Sequence, residues 1–156
     1  MKKSILFIIN PISGGKSKLN FPKLAAKCLN ESLFNSSYVF TENIGHAREL
    51  AAENSDKDII VAVGGDGTIN EIASVLEGSD KWMGIIPSGS GNGLARAMGI
   101  PLKDSEAVSR LNNLNLTRID SGTLNDRKFF NMAGVGFDAH ISSCFAQHTG
   151  RGLGGY

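Results

Sequence analysis

Two stretches, Ile5–Ile9 and Ile59–Val63, are apolar at every position rather than at every second one. A strand with one wet face alternates. A strand covered on both faces does not, and the inner strands of a parallel sheet flanked by helices are in that situation. Ser37–Thr41 and Trp82–Ile86 are weaker strand candidates. Between the strands lie apolar stripes at helical spacing: Phe21, Leu24, Ala25, Cys28 and Leu29; Ala47, Leu50 and Ala51; Ile69, Ile72, Ala73 and Leu76. Thr68 and Glu71 have the spacing of a capping box that would open the third helix. Asn92 is placed to cap a fourth helix reaching Met98, which Gly99 and Pro101 would end. A fifth helix is expected over Ser105–Leu111.

Strands alternating with helices predict βαβ units, hence an α/β fold with a doubly wound, mainly parallel sheet. In such sheets ligands bind beyond the carboxyl ends of the strands. Three loops leave strand ends here: Asn10–Ser17, Gly64–Gly67 and Pro87–Gly91. Parallel strands would bring all three to one edge. After about Leu116 the pattern changes: Thr117–Leu124 and Arg127–Ala133 flank Asn125-Asp126, a hairpin signal. The expected organisation is a nucleotide-binding α/β domain over residues 1–116 and the incomplete start of a second, β-rich domain over 117–156.

A chain of 156 residues can bury a full core. Its net charge of +1, with no basic run, speaks against nucleic acid as partner. The opening MKKSILFII is too short for a signal peptide core and breaks at Asn10-Pro11, so it reads as the first strand. No apolar stretch is long enough for a transmembrane segment. Cys28 and Cys144 match no paired spacing and read as two reduced thiols of a cytosolic protein. His140 and His148 lack partners at metal-ligand spacing, and no residue is assigned as a metal ligand. His46 reads as a capping or surface group and Trp82 as packing. Lys16 and Arg96 could reach a phosphate or be solvated.

The densest motif is Val63–Glu71, VGGDGTINE: a buried strand, three glycines around Asp66, then a helix. Glycines let backbone approach a ligand, and a helix N-terminus favours an anion. A carboxylate there repels phosphate unless Mg²⁺ or a hydroxyl proton offsets it. Asp66 therefore reads as a metal-linked or general-base residue in phosphoryl transfer, against the plainer reading of a tight turn. Ile86–Gly99 repeats the logic with Gly89, Gly91 and Gly93, and Ser90 and Asn92 can bond a phosphate or ribose. Its third glycine falls one residue early for a dinucleotide fingerprint. The first loop, NPISGGKS, has Asn10 where a P-loop needs glycine, and Pro11 lacks the N–H that would hold phosphate. It reads as a different phosphate loop.

Asn10-Pro11 with Ser13-Gly14-Gly15, then Gly64-Gly65-Asp66-Gly67-Thr68, then Pro87-Ser88-Gly89-Ser90-Gly91-Asn92, in this order and spacing, resemble the catalytic domain of the diacylglycerol kinase family, which also holds sphingosine and ceramide kinases. Thr41–Ala51 and Ile119–Ala139 fit the resemblance too. It implies a lipid kinase that uses ATP and Mg²⁺ and phosphorylates a lipid hydroxyl: diacylglycerol, a sphingoid base or a related lipid. By position, Asn10, Pro11, Ile12, Ser13, Gly14, Thr41, Gly64, Gly65, Asp66, Gly67, Thr68, Ile69, Asn70, Ser90 and Asn92 would contact the nucleotide. Asp66 would be catalytic and Asp120 would touch the lipid head.

The implied fold is an N-terminal domain of the NAD kinase/diacylglycerol kinase kind, followed by a β-sandwich. The protein would be cytoplasmic, meeting its lipid at a membrane surface; a homodimer is one open assembly. Gly89-Ser90-Gly91-Asn92-Gly93 departs from the G-T-x-N-D of many bacterial members. Family members are also longer. Their second domain supplies a further acidic catalytic residue and, in bacterial members, a structural metal site, so this chain is expected to be an N-terminal part that is inactive alone. Two other readings stay open: an NAD kinase, which shares GGDGT, and a non-catalytic nucleotide- or lipid-binding regulator.

Overall fold

In the computed structural model, which describes residues 1–15 and 17–147, strands β1 (Lys3–Ile9), β2 (Phe34–Phe40), β3 (Ile59–Gly64) and β4 (Trp82–Pro87) form one parallel sheet in the order β2-β1-β3-β4. The helices between and after them are α1 (Phe21–Cys28), α2 (His46–Glu53), α3 (Asp66–Leu76), α4 (Gly93–Ala97) and α5 (Asp104–Leu111). Lys16 and His148 lie outside the described residues.

The central strands are apolar throughout because each face meets a different helix layer. Ile5, Phe7 and Ile9 of β1, with Ile59, Val61 and Val63 of β3, pack with Phe21 and Ala25 of α1 and Ala107 and Val108 of α5. Leu6, Ile8, Ile60 and Ala62, the alternate positions, pack with Ala47 and Ala51 of α2, Ile69, Ile72 and Leu76 of α3, and Leu94 and Ala95 of α4. The two-residue period of the strand thus divides one apolar run between two cores. Gly84 in β4 lets the layer of α1 and α5 close on the sheet, since a Cβ there would sit 2.9 Å from Val61 Cγ2 and 3.1 Å from Leu111 Cδ2.

Strand β2 begins at Phe34, ahead of the Ser37 start expected from sequence. It is an edge strand, and its exposed Asn35 and Ser36 carry no apolar signal although they pair with β1. The capping box at the third helix is not formed. Helix α3 starts at Asp66, two residues before Thr68, with Gly65 at its N-cap and no side-chain cap. Thr68 is buried in the first turn, and Glu71 Oε1 accepts instead from the Gly45 N–H at 3.1 Å. Asn92 does stand at the N-cap of α4, but in a left-handed conformation (φ 54°) and without a side-chain cap. Gly99, at φ 62°, follows the end of that helix as expected.

Beyond Leu116 the structure forms an antiparallel hairpin, β5 (Gly122–Leu124) and β6 (Arg127–Phe129), then helix α6 (Phe137–Gln147). Asn125 and Asp126 both take positive φ, 46° and 64°. That pair of values gives the turn the twist of its strands. Phe129 lies opposite Gly122, where any Cβ would run into its ring. The hairpin rests on α3: Asn70 Nδ2 donates to the Lys128 carbonyl at 3.0 Å, and Lys128 pairs with Glu77.

Candidate active site

The sheet carries three of its loops to one edge, and short contacts lock them together. The Asn10 N–H donates to the Val63 carbonyl at 2.9 Å and the Ser88 N–H to the Gly64 carbonyl at 2.8 Å, extending the ladders one residue into the loops. Asn10 Nδ2 donates to Thr68 Oγ1 at 3.2 Å, and Asn10 Oδ1 accepts from the Ile12 N–H at 3.2 Å, so one side chain ties the first loop to α3 and shapes its own turn. Ser13 Oγ donates to the Ser88 carbonyl at 3.0 Å, joining first and third loops. A Cβ on Gly14 (φ 64°) would lie 2.6 Å from that same oxygen, and one on Gly89 under 3.0 Å from Gly65 Cα. The glycines are spacing devices: these backbones cannot approach so closely with side chains between them.

Asn92 holds the third loop from inside. Its side chain is buried, accepts from the Gly89 N–H at 2.8 Å and donates to the Gly89 carbonyl at 2.9 Å. Arg96 Nε donates to the Gly91 carbonyl at 3.0 Å, so this arginine braces the loop. Ser90 is half-buried between those fixed points.

Asp66 stands where the second and third loops meet. Its Oδ2 accepts from the Gly93 N–H at 3.1 Å and its Oδ1 from the Leu94 N–H at 3.2 Å. The first residue of α3 thus caps α4, satisfying amides at the N-terminus of that helix. Helix α3 itself has no such cap, so its first-turn amides, at the positive end of an 11-residue helix, open toward the sheet edge beside Asp66.

Thr41 is buried at the end of β2, its N–H donating to the Ile9 carbonyl at 2.8 Å, one strand over from Asn10. Pro11 is half-buried and Ile12 exposed on the first loop; the Ile69 side chain is 2% exposed and belongs to the core beneath α3. Asp120 is exposed in the segment entering β5, and its neighbour Ser121 bonds Glu77, at the opposite end of α3 from Asp66. The loops and Asp66 are brought together; Asp120 is not gathered with them. His46 Nδ1 accepts from the Glu42 N–H at 3.0 Å. Trp82 packs against the sheet with Lys3 Nζ 4.3 Å from its ring centroid.

Two residues of the site carried no signal that sequence reasoning used. Lys18 is buried and donates to the Ser13 carbonyl, putting a cation at the root of the first loop. Asn131, just beyond β6, lines a cleft of about 350 Å³ with Asp66, Asn70, Gly93, Phe129 and Met132.

The residues present fit a bound nucleotide. Gly67, in the first turn of α3, has no atom within 4 Å of where a Cβ would stand, and the α3 amides beside it favour anionic oxygens. For Mg²⁺ the donors are sparse: among the described residues no three His, Cys, Asp or Glu side chains cluster. Asp66 with the nucleotide's own phosphates is the donor set on offer, in keeping with how Mg²⁺ is ordinarily bound.

These features define a doubly wound α/β domain whose ligand edge is built from interlocked glycine loops around one aspartate. Residues 4–124 match the family model of the diacylglycerol kinase catalytic domain, and the chain belongs to that family. It is 35% identical over 147 residues to a diacylglycerol kinase of Staphylococcus saprophyticus, covering 91% of this chain and 48% of that protein. It is 36% identical over 148 residues to one of Staphylococcus haemolyticus, covering 91% and 44%. A solved structure of a diacylglycerol kinase from Bacillus anthracis superposes with a TM-score of 0.69 at 25% identity, over 81% of this chain and 45% of that one. The chain spans about half the length of the curated relatives it matches.

Proposed function

We propose that the full-length protein is a kinase transferring the γ-phosphoryl group of ATP to a lipid hydroxyl, that of diacylglycerol, a sphingoid base or a related lipid. The observation that carries this reading is the Asp66 carboxylate, held by two amides where the second and third of the interlocked loops meet and beside an open helix N-terminus. In this reading Asn10–Gly14, Thr41, Gly64–Asn70, Ser90 and Asn92 hold the nucleotide, with the α3 amides on its phosphates. Mg²⁺, when bound with the nucleotide, supplies charge neutralisation on the phosphoryl oxygens.

Asp66 orients the acceptor hydroxyl and takes its proton. A carboxylate has about four acceptor positions; the Gly93 and Leu94 amides use two and fix the rotamer, leaving capacity on the cleft side. As the acceptor oxygen bonds to the γ-phosphorus, the bond from that phosphorus to the β–γ bridging oxygen breaks, and its electron pair leaves with ADP. The cleft suits a lipid acceptor, because Phe129 lines it and Met132, Val135 and Phe137 are exposed along the segment that follows. Asp120 enters this reading as a residue at the lipid head through the family resemblance alone, since its neighbour Ser121 bonds Glu77 at the end of α3 away from Asp66. A lipid acceptor brings with it contact with a membrane surface. The division of the chain near residue 116, where the parallel sheet with its helices gives way to the hairpin, belongs to the same reading.

The test is an acceptor panel. Full-length protein with labelled ATP and Mg²⁺ is offered diacylglycerol and sphingosine in mixed micelles, and NAD in solution. Label in a lipid product is the expected result. Label in NAD, or ATP binding without transfer to any acceptor, would overturn the reading in favour of an NAD kinase or a non-catalytic regulator.

A further inference from the structure

Gly93 differs from the loop glycines that make room for backbone. A Cβ built on it would lie 2.5 Å from Asn131 Nδ2 and 3.7 Å from Asp66 Oδ1. The space a side chain would take at position 93 is therefore filled by the amide of Asn131, arriving from a different part of the chain, and the Asp66 carboxylate lies within 4 Å of the same point. Its backbone dihedrals do not demand glycine, since Gly93 is not among the positive-φ residues. Its own N–H is engaged by Asp66. A Cβ at position 93 would oblige the Asn131 amide to move away.

Asn131 is brought there by the hairpin. Phe129 is seated over Gly122, Asn70 holds the Lys128 carbonyl, and Asn131 follows two residues beyond Phe129. Asn131 is exposed in the cleft, with the apolar Phe130 and Met132 on either side along the chain. The other primary amide of the cleft, Asn70, is engaged with the Lys128 carbonyl; a second amide in a cleft that also holds a carboxylate is suited to a small group that is both donor and acceptor. A hydroxyl is such a group: its proton goes to the carboxylate while a lone pair accepts from the amide N–H.

We propose that Asn131 positions the acceptor hydroxyl against Asp66, and that Gly93 is glycine so that Asn131 can reach. This rests on the kinase reading above and names a residue of its acceptor side. Asn131 orients the oxygen, Asp66 takes its proton, and the bonds made and broken at phosphorus are those already given. The contribution is positional, and misplacement of a reacting oxygen by about 1 Å costs on the order of a hundredfold in rate.

The experiment measures steady-state kcat, KM for lipid and KM for ATP in full-length protein carrying Asn131→Ala, Gly93→Ala or both. Asn131→Ala is expected to lower kcat by about tenfold to a hundredfold, leaving KM for ATP within about twofold of wild type. Gly93→Ala is expected to give a defect of the same kind by displacing Asn131. The double variant should then fall no further than Asn131→Ala alone, the signature of two changes acting through one group. Asn131→Ser is the second variant, expected to retain part of the rate and to serve if the alanine variant does not fold. Wild-type kcat in Asn131→Ala or Asn131→Ser overturns the inference, as does a Gly93→Ala loss that multiplies undiminished in the double variant. Wild-type protein that phosphorylates no lipid overturns the kinase reading and this inference with it, a result visible before any variant is compared.

Discussion

At the scale of single residues, the site depends on atoms that are missing. Gly89 has a negative φ region open to any residue, yet a Cβ on it would press against Gly65 Cα and lie 2.9 Å from Asn92 Oδ1. Gly89→Ala should destabilise the fold by about 1–3 kcal/mol through overpacking against backbone, read in urea unfolding, and should weaken nucleotide binding because the second and third loops must part. An unaltered unfolding midpoint would contradict the account of loop spacing. Asp58 acts at the other end of the sheet. Its Oδ2 accepts from the Ser4 N–H at 2.7 Å and Ser4 Oγ at 2.8 Å, and these bonds, the backbone one foremost, hold its carboxyl below the ordinary aspartate range. A depressed native pKa stabilises the fold above the unfolded-state value of about 3.9, and that contribution is lost as pH falls through the native value. The gap in unfolding midpoint between wild type and Asp58→Asn should therefore be present at neutral pH and close below about pH 4; a gap independent of pH would contradict it.

At the scale of elements, α3 joins core to chemistry. Its Ile72 is fully buried among β-strand side chains, while its first residue caps α4 and its first-turn amides open to the ligand edge. Ile72→Ala should cost about 2–5 kcal/mol, and melting curves should show it; a loss under 1 kcal/mol would mean the helix is not anchored as described. The apolar stripe of α3 was legible in the sequence because periodicity reports burial directly. Its start was not. The T-x-x-E spacing suggested a box, but Thr68 turns inward to Asn10 and Glu71 reaches Gly45, because tertiary partners outcompete a local cap. The central strands were legible for the same reason as the stripe. Edge strand β2 was legible only in its apolar half, since its pairing to β1 is a backbone matter that polar Asn35 and Ser36 do not disclose.

At the scale of the whole molecule, the loops could be gathered from sequence because a parallel sheet puts every strand's carboxyl end on one edge. What spacing could not show was the return of the chain over that edge. The meeting of Asn131 with Gly93 is a contact between residues 38 positions apart, and it depends on the hairpin docking on α3. Lys18 escaped notice in the same way, being a lysine of ordinary context until the fold buries it under the first loop. The hairpin is also the less anchored part: its strands have three residues each and are largely exposed, against the buried β1 and β3. Amide exchange should be faster in β5 and β6 than in β1 and β3 by orders of magnitude, and equal protection would contradict this hierarchy.

The central claim is that Asp66 serves phosphoryl transfer from within a frame that other residues hold. It is tested most directly by transfer of label from ATP to lipid in full-length protein, wild type against Asp66→Asn. The asparagine keeps one acceptor oxygen toward the α4 amides and loses the charge and the proton-accepting capacity. The account predicts a loss of at least about a hundredfold in kcat, with the melting temperature largely preserved. Asp66→Asn protein that phosphorylates lipid at the wild-type rate would contradict it.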